Sequence, residues 1–284
     1  MRRDELDELV GWAADEGWNP GLGDAALFWD TDPEGFVAAE HEETGALIGG
    51  GSIVSYDGLF GFMGFFIVEP AWRGRGIGSA LWHHRRDALR ARLRPDAAIG
   101  MDGVPAMQPF YRRGGFVSAG TDVRYEGPPL PDRPLAAGLV DARDVPLDDL
   151  AAYDALHFPA PRPGFVRRWI AQTGARALAA RADDGHLTGY GVVRPCGRGH
   201  KVGPLFAADP ATAALILDGL SAHAAARGPE GPLVLDVPDA NPAAVALARD
   251  RGMVPVFECA RMYLGPAPAI PLHEVFGVTT FELG

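Results

Sequence analysis

One segment, residues 65–82, constrains the fold of this chain more than any other. Residues 65–68 form a short apolar and aromatic run typical of a buried strand, and Pro70 ends it because proline cannot donate to a strand ladder. From Ile77 onward, apolar residues recur at helical spacing. Between them, residues 73–78 carry glycine at every second position. The order predicts a strand, a short glycine-rich loop and a helix.

The loop at 73–78 has the features of an anion site. Glycines allow close backbone approach, the first N–H groups of the helix are uncovered, and Arg73 and Arg75 add positive charge. The loop lacks both the Gly-Lys-Ser/Thr ending of a nucleoside-triphosphate loop and the glycine spacing of a dinucleotide fold. It resembles the acyl-CoA pyrophosphate loop of the GNAT N-acetyltransferase superfamily, through Val68-Glu69-Pro70 followed by Arg73-Gly74-Arg75-Gly76-Ile77-Gly78.

The resemblance implies an α/β fold of the α+β kind with acetyl-CoA as co-substrate. The ligand would lie where the strand ending at Val68 diverges from the strand ending near Asp102. Strand backbone would hold the pantetheine arm, and the loop would hold the pyrophosphate. The residues implied for this site are Phe66, Ile67, Val68, Arg73, Gly74, Arg75, Gly76, Ile77, Gly78 and Ser79.

A second family signature covers residues 106–116, which resemble the helical segment ending in Tyr-x-x-x-Gly-Phe. The matching Tyr111 in this family often protonates the departing CoA thiolate, although a packed aromatic with a backbone-bonded hydroxyl is the structural alternative. Some relatives use a Glu in the preceding strand as base, but residues 60–68 contain none. Asp102, at the end of a strand beside the thioester, is our first candidate, and Asp30 or a water chain remains open.

An internal repeat appears when the two halves are set against each other at an offset of 137 residues. Residues 101–106 then match 238–243, and Gly115 matches Gly252. The second copy lacks the residues that acetyl transfer would need, because Tyr111 is matched by Ala248 and the glycine loop has no counterpart. We therefore expect that the second copy binds no CoA.

The resemblance extends over nearly the whole chain, to a GNAT subfamily with a second, degenerate acetyltransferase-like domain. It implies two tandem GNAT-like domains, each with a mixed central sheet flanked by helices. The sequence predicts a catalytic domain at 1–127, a proline-rich linker at 128–137 and the degenerate domain at 138–284, with a substrate or structural role.

The sequence defines the residues that would bind the acceptor less sharply than those that would bind CoA. In GNAT folds the segment between the first two helices lines the acceptor pocket, and a rigid proline-rich loop in the second half adds one imidazole and one cation. The substrate-side candidates are Trp18, Asn19, Asp24, Trp29, Asp30, His157 and Arg162. Core aromatics and capping carboxylates are the alternative interpretation of the candidates in the first half.

Charge and composition exclude several classes of protein. A net charge of −11 argues against non-specific nucleic-acid binding. No apolar run approaches the roughly 20 residues of a membrane span, and the charged N-terminus is unlike a secretory signal, so we expect a cytoplasmic protein with no membrane partner. Two cysteines favour reduced thiols over a disulfide or metal site.

These observations predict an N-acetyltransferase in which a primary amine attacks the acetyl thioester directly. The acceptor is expected to be a small molecule. A non-catalytic acyl-CoA sensor, a protein-lysine acetyltransferase and transfer of a bulkier acyl group remain alternatives. The sequence also leaves a homodimer open.

Overall fold

The chain consists of two halves with a similar order of strands and helices. The structure, a computed structural model, describes residues 1–131, 135–227 and 231–284. Of the linker predicted at 128–137, residues 132–134 lie outside this description.

The first half begins with two helices, continues through short strands and ends with a long strand. Its helices are α1 (Arg3–Asp15), α2 (Asp24–Thr31), α3 (Ile77–Arg92) and α4 (Gln108–Arg113). Its strands are β1 (Phe36–Glu40), β2 (Leu47–Ser52), β3 (Val54–Tyr56), β4 (Phe60–Phe62), β5 (Ile67–Val68), β6 (Ile99–Gly103) and β7 (Val117–Gly127). The strand predicted at 65–68 is shorter because Phe65 has a φ of +50°, which interrupts the extended backbone.

The second half follows a similar plan, but it begins with a strand, has fewer strands before its third helix and ends with a further short strand. Its helices are α5 (Leu147–His157), α6 (Pro163–Ile170), α7 (Pro210–Arg227) and α8 (Pro242–Asp250). Its strands are β8 (Leu139–Asp141), β9 (Arg176–Arg181), β10 (Leu187–Pro195), β11 (His200–Ala207), β12 (Leu233–Pro238), β13 (Val254–Leu264) and β14 (Val275–Gly277). Strands β7 and β13 begin at 117 and 254 and end at 127 and 264, so both ends are 137 positions apart, as the repeat predicts.

The two halves share one large sheet because their long strands are exchanged. The strand order is β3-β4-β6-β13-β7-β12-β11-β10-β9-β8. Strand β13 of the second half therefore lies between β6 and β7 of the first, and β7 pairs with both β13 and β12. Each half is completed by a strand of the other. The domain boundary at 127–138 stays a prediction, since the hydrogen-bonded sheet continues across it.

An opening in the sheet of the first half positions the candidate site. Strands β4 and β6 pair in parallel at Gly61 and Phe62, and the strand that continues β4 then leaves to join the small sheet β1-β2-β5. The buried guanidinium of Arg85, on α3, connects the end of β2 to the segment between β4 and β5: its Nη2 donates to the carbonyl oxygens of Ser52 and Gly64, at 2.6 Å each. The strands thus diverge beyond Gly64.

The equivalent opening in the second half is filled by the chain's own tail. Strands β11 and β12 pair only over their first residues, and β14 then pairs with β11 at Leu205 and Phe206. Just beyond β14, the N–H of Val278 donates to the carbonyl oxygen of Asp236 on β12, at 2.9 Å. Residues 275–277 of the tail therefore form a strand in this opening. Within the described ranges, no helix has the length and apolar character required to cross a membrane.

Candidate active site

The glycine loop has the backbone conformation that its sequence predicts. Gly74 and Gly76 have φ values of +76° and +82°, in the left-handed region that favours glycine. Gly76 is the N-cap of α3, which is anchored in the core by Leu81 and Leu89. A Cβ atom at Gly74 or Gly76 meets no heavy atom within 4 Å, so the space in front of the loop is open.

A groove runs from this loop along the free edge of β5. It has about 1070 Å³ of empty space, including its open mouth. Of the residues predicted for CoA, Phe66, Ile67, Val68, Arg73, Gly74 and Gly78 line it, whereas Arg75, Gly76, Ile77 and Ser79 lie in the adjoining loop and helix start. Across the groove lie residues 104–107, from the segment that follows β6.

The groove suits the two parts of a CoA molecule that the resemblance implies. Because β5 is the edge strand of its sheet, its free edge beside the groove suits strand-like pairing with a pantetheine arm, and one of the carbonyl oxygens of β5, that of Val68, already accepts from Arg73. The N–H groups at the start of α3, together with the left-handed glycines, form a nest suited to a pyrophosphate. Arg73 ties the loop to the strand, since its Nε donates to the carbonyl oxygen of Val68 at 2.7 Å, and it also pairs with Glu16.

An inner cavity continues from this groove, and the two share Trp18, Phe66, Val104 and Met107 as lining residues. We call it the acceptor cavity. Its empty space is about 590 Å³, and its lining is mostly apolar and aromatic. The remaining lining residues are Met63, Gly64, Phe65, Met101, Asp102, Tyr111, Phe257, Cys259, Phe281 and Glu282.

Tyr111 reaches the acceptor cavity from α4. Its ring packs against Trp82 of α3, with 4.9 Å between ring centroids. Burial raises the pKa of Tyr111 to about 12, although the nearby Arg85 cation opposes the shift. The phenol therefore keeps its proton at neutral pH and faces a cavity that opens toward the CoA groove.

Asp102 is held from β13, the strand contributed by the second half. Both carboxylate oxygens accept from Arg261, from Nε at 2.7 Å and Nη2 at 2.9 Å. Burial raises the pKa of Asp102 to about 8, Arg261 opposes the shift, and the carboxylate of Asp122 adds to it. The carboxylates of Asp102 and Asp122 therefore share the cation of Arg261.

The structure adds a carboxylate that the sequence analysis missed, Glu282 in the tail. The tail crosses from β14 to the first half, where the hydroxyl of Ser52 donates to the carbonyl oxygen of Glu282 at 3.3 Å. Glu282 is one of the residues that line the acceptor cavity. A single acidic residue within the apolar run 275–283 was the available signal.

Of the acceptor-side candidates in the first half, Trp18 lines the acceptor cavity, and the others have different partners. Asn19 bonds to the backbone of Arg198, at 2.9 Å and 3.1 Å. Asp24 is buried and accepts from Arg194 at 2.8 Å and 3.0 Å. Trp29 stacks on Phe36, and Asp30 is exposed, 3.9 Å from Arg168. Asn19 and Asp24 join the first half to the second.

The two candidates from the second half hold the tail. His157 Nε2 lies 2.9 Å from the carboxylate of Glu274, and Arg162 donates to the hydroxyl of Thr279 at 2.8 Å. Arg162 is buried and is itself held by Asp154. Both side chains thus act on the segment that leads to Glu282. Among the residues the structure describes, no group of His, Cys, Asp and Glu is arranged to hold a metal ion.

Comparison with known proteins gives the same family for both halves. The sequence model described as the acetyltransferase (GNAT) family matches residues 3–116, and one described as an acetyltransferase (GNAT) domain matches residues 150–277. Holothin acyltransferase from a Pseudoalteromonas species is 28% identical over 275 residues, which are 96% of this chain and 89% of that protein.

Solved structures show the same fold. A Pyrococcus horikoshii protein, named as a candidate acetyltransferase, superposes with a TM-score of 0.80 at 23% identity, over 100% of this chain and 94% of that one. A tandem GNAT protein from the clavulanic acid biosynthesis pathway superposes with a TM-score of 0.65 at 18% identity, over 94% and 98% of the two chains.

Proposed function

The chain belongs to the GNAT family of acetyltransferases, with two such domains in tandem, and we propose that its first half transfers an acetyl group from acetyl-CoA to the primary amine of a small molecule. The observation that supports this most strongly is the continuity of the glycine-loop groove with the acceptor cavity, where Tyr111 lies. A ligand held by its pyrophosphate at the loop can extend its thiol end along β5 to that cavity.

The chemistry then needs two proton transfers, and two side chains of the cavity are suited to them. Acetyl-CoA supplies the acetyl thioester. Asp102 accepts a proton from the acceptor's ammonium group, and the resulting amine forms a bond to the acetyl carbon. As the carbon–sulfur bond breaks, Tyr111 donates its proton to the sulfur, and the tyrosinate recovers a proton from the nitrogen of the new amide. One amide, one free thiol and one released proton result.

The acceptor cavity also supports a small molecule over a protein side chain. The cavity lies between the sheet of the first half and a strand and tail from the second, so Phe257 and Phe281 close one of its sides. In this proposal the second half contributes lining residues to the acceptor cavity and does not form a second CoA site. Its own opening is occupied by β14, which gives a physical reason to expect no CoA there.

Removing the carboxylate of Asp102 is expected to change the pH dependence of transfer. Asp102 must be ionised to accept a proton, and its pKa is raised to about 8, so wild-type kcat/KM should rise as the pH increases toward 8. In Asp102→Asn the part of this rise that follows ionisation of Asp102 should be lost, which leaves the rise set by deprotonation of the free amine, and kcat/KM at pH 8 should fall by about 10²-fold. The matched control is Asp96→Asn, an exposed carboxylate outside both cavities. An unchanged pH profile in Asp102→Asn would assign the base role elsewhere.

Replacing Gly76 with Ala is expected to weaken acetyl-CoA binding. The left-handed backbone costs a residue with a Cβ about 1–2 kcal/mol, so the loop should shift and the Kd should rise about tenfold. Isothermal titration measures this directly. Gly45→Ala is the control, because Gly45 also has a positive φ (+67°) but lies in the turn between β1 and β2. Equal Kd values in the two variants would argue against the loop as the pyrophosphate site.

A further inference from the structure

The tail brings Glu282 to a fixed position in the acceptor cavity. Thr280 Oγ1 accepts from the backbone N–H groups of Glu282 and Leu283, at 2.9 Å each, and the hydroxyl of Tyr56 donates to the carbonyl oxygen of Leu283 at 2.8 Å. The tail also passes directly over Gly64, where a Cβ atom would lie 2.1 Å from the carbonyl oxygen of Glu282. The backbone beneath the carboxylate is therefore held from several sides.

The carboxylate of Glu282 has unused capacity to accept a hydrogen bond. The residue is 3% exposed, and its Oε2 is buried without a hydrogen-bond partner among the described residues. Two arginines whose positive charge interacts with Glu282 are hydrogen-bonded to other carboxylates. Arg124 is bonded to Asp236 and Arg194 to Asp24, each through two hydrogen bonds. A buried carboxylate oxygen without a donor is costly unless a ligand supplies one.

Lys201, by contrast, has no bidentate hydrogen bond to a carboxylate among the described residues. It is buried, its Nζ donates to the carbonyl oxygen of Trp18 at 3.3 Å, and Glu282 opposes the burial that lowers its pKa. A purely structural role for Glu282, as the counter-charge of Lys201, is therefore the competing explanation. Binding of a charged and of a neutral ligand separates the two roles.

The rest of the cavity lining favours a cation on an apolar body. The charged side chains that line it are Asp102 and Glu282, both carboxylates, and Asp102 already accepts two hydrogen bonds from Arg261. Aromatic rings from Trp18 and the four phenylalanines surround them. Such rings attract a desolvated cation and accommodate an apolar group, whereas an anionic group beside Glu282 would be repelled by its carboxylate.

From this arrangement we propose that Glu282 binds the ammonium group of the acceptor, and that the acceptor is a primary amine on a compact apolar or aromatic body without an anionic group. The inference rests on the proposed function, because it places the acceptor in the cavity that contains Tyr111. The specificity of the first half is then set by a residue in the tail of the second half.

Direct binding of benzylammonium tests this inference without any transfer reaction. Isothermal titration at pH 7 should show binding to the wild type and a Kd at least tenfold higher in Glu282→Gln, because a charged hydrogen bond is lost. Glu282→Asp keeps the charge and should bind with an intermediate Kd. Glu258→Gln, an exposed carboxylate on β13 outside the cavity, is the control for net charge and should bind like the wild type.

Neutral benzyl alcohol separates ammonium recognition from a structural role. It should bind Glu282→Gln and the wild type with similar affinity, since the cavity walls are unchanged. Equal loss of benzylammonium and benzyl alcohol would show a collapsed cavity and contradict the proposal. Benzylammonium binding that is unaffected by Glu282→Gln, or absent from the wild type, would overturn it as well.

The same variant distinguishes failure of this inference from failure of the proposed function. If benzylammonium binding depends on Glu282 but no amine releases CoA from acetyl-CoA, the ammonium site is supported and the transfer reaction is not. If amines release CoA and the amine KM is the same in Glu282→Gln, the transfer reaction is supported and the ammonium site is not. An increase in that KM larger than the change in kcat supports both.

Discussion

Substituting Phe for Tyr111 is expected to lower kcat for acetyl transfer by about 10³-fold, within the range that a general acid contributes. The change removes one hydroxyl and retains the ring that packs on Trp82, so acetyl-CoA affinity and the free energy of unfolding should change little. Because burial raises the pKa of Tyr111 to about 12, the wild-type phenol is protonated across the working pH range and is ready to donate. Steady-state CoA release and isothermal titration of acetyl-CoA measure the two effects separately.

Tyr125→Phe is the matched control for this substitution. Tyr125 lies on β7, is equally buried, and does not line the acceptor cavity or the groove. Its kcat should stay within a factor of two or so of the wild type. If Tyr111→Phe also keeps kcat within that range, the thiolate is protonated by another group, and Tyr111 is a packed aromatic.

Asp24→Ala is expected to destabilise the protein by about 3–5 kcal/mol, which is typical when one partner of a buried ion pair is removed. The carboxylate accepts two hydrogen bonds from Arg194, and both side chains are almost fully buried. Because Asp24 is on α2 and Arg194 is on β10, the unpaired guanidinium would remain in the contact between the two halves. Urea unfolding followed by circular dichroism measures the loss.

Asp30→Ala controls for the loss of a carboxylate from the same helix. Asp30 is exposed and only 3.9 Å from Arg168, so its removal should change the free energy of unfolding by less than about 0.5 kcal/mol. If Asp24→Ala leaves the free energy of unfolding unchanged and raises the KM for the amine, the structural role is contradicted and Asp24 is assigned to the acceptor site.

The features that could be predicted from the sequence are those encoded within a few neighbouring residues. The loop at 73–78 and the start of α3 follow from glycine spacing and helical periodicity, and Gly74 and Gly76 adopt the conformations that such a loop requires. The repeat located β7 and β13 because matching residues lie at a constant offset. Local chemistry was sufficient for these features.

The features that could not be predicted depend on contacts between distant parts of the chain. Nothing in the local sequence indicates that β13 pairs with β6 and β7 of the other half. Asp24 resembled a substrate-side carboxylate because its partner, Arg194, is 170 residues away. Glu282 was overlooked for the same reason, since only the path of the tail brings it beside Gly64.

His157 and Arg162 illustrate how a residue's chemistry can be read correctly while its partner is not. Their charge and rigid proline-rich surroundings suggested ligand binding, and both do bind a polar segment. That segment is the chain's own tail, through Glu274 and Thr279. A role in acceptor binding for these two residues stays a prediction, and it would be indirect, because they hold the segment that presents Glu282.

The most direct test of acetyl transfer is release of CoA from acetyl-CoA by the wild-type protein, measured against a panel of primary amines and their neutral alcohol analogues. We expect that at least one amine on a compact apolar body releases CoA and is recovered as its acetamide, while its alcohol analogue does not react. Tight acetyl-CoA binding with no amine-dependent release across the panel would exclude the proposed transfer reaction and favour an acyl-CoA sensor.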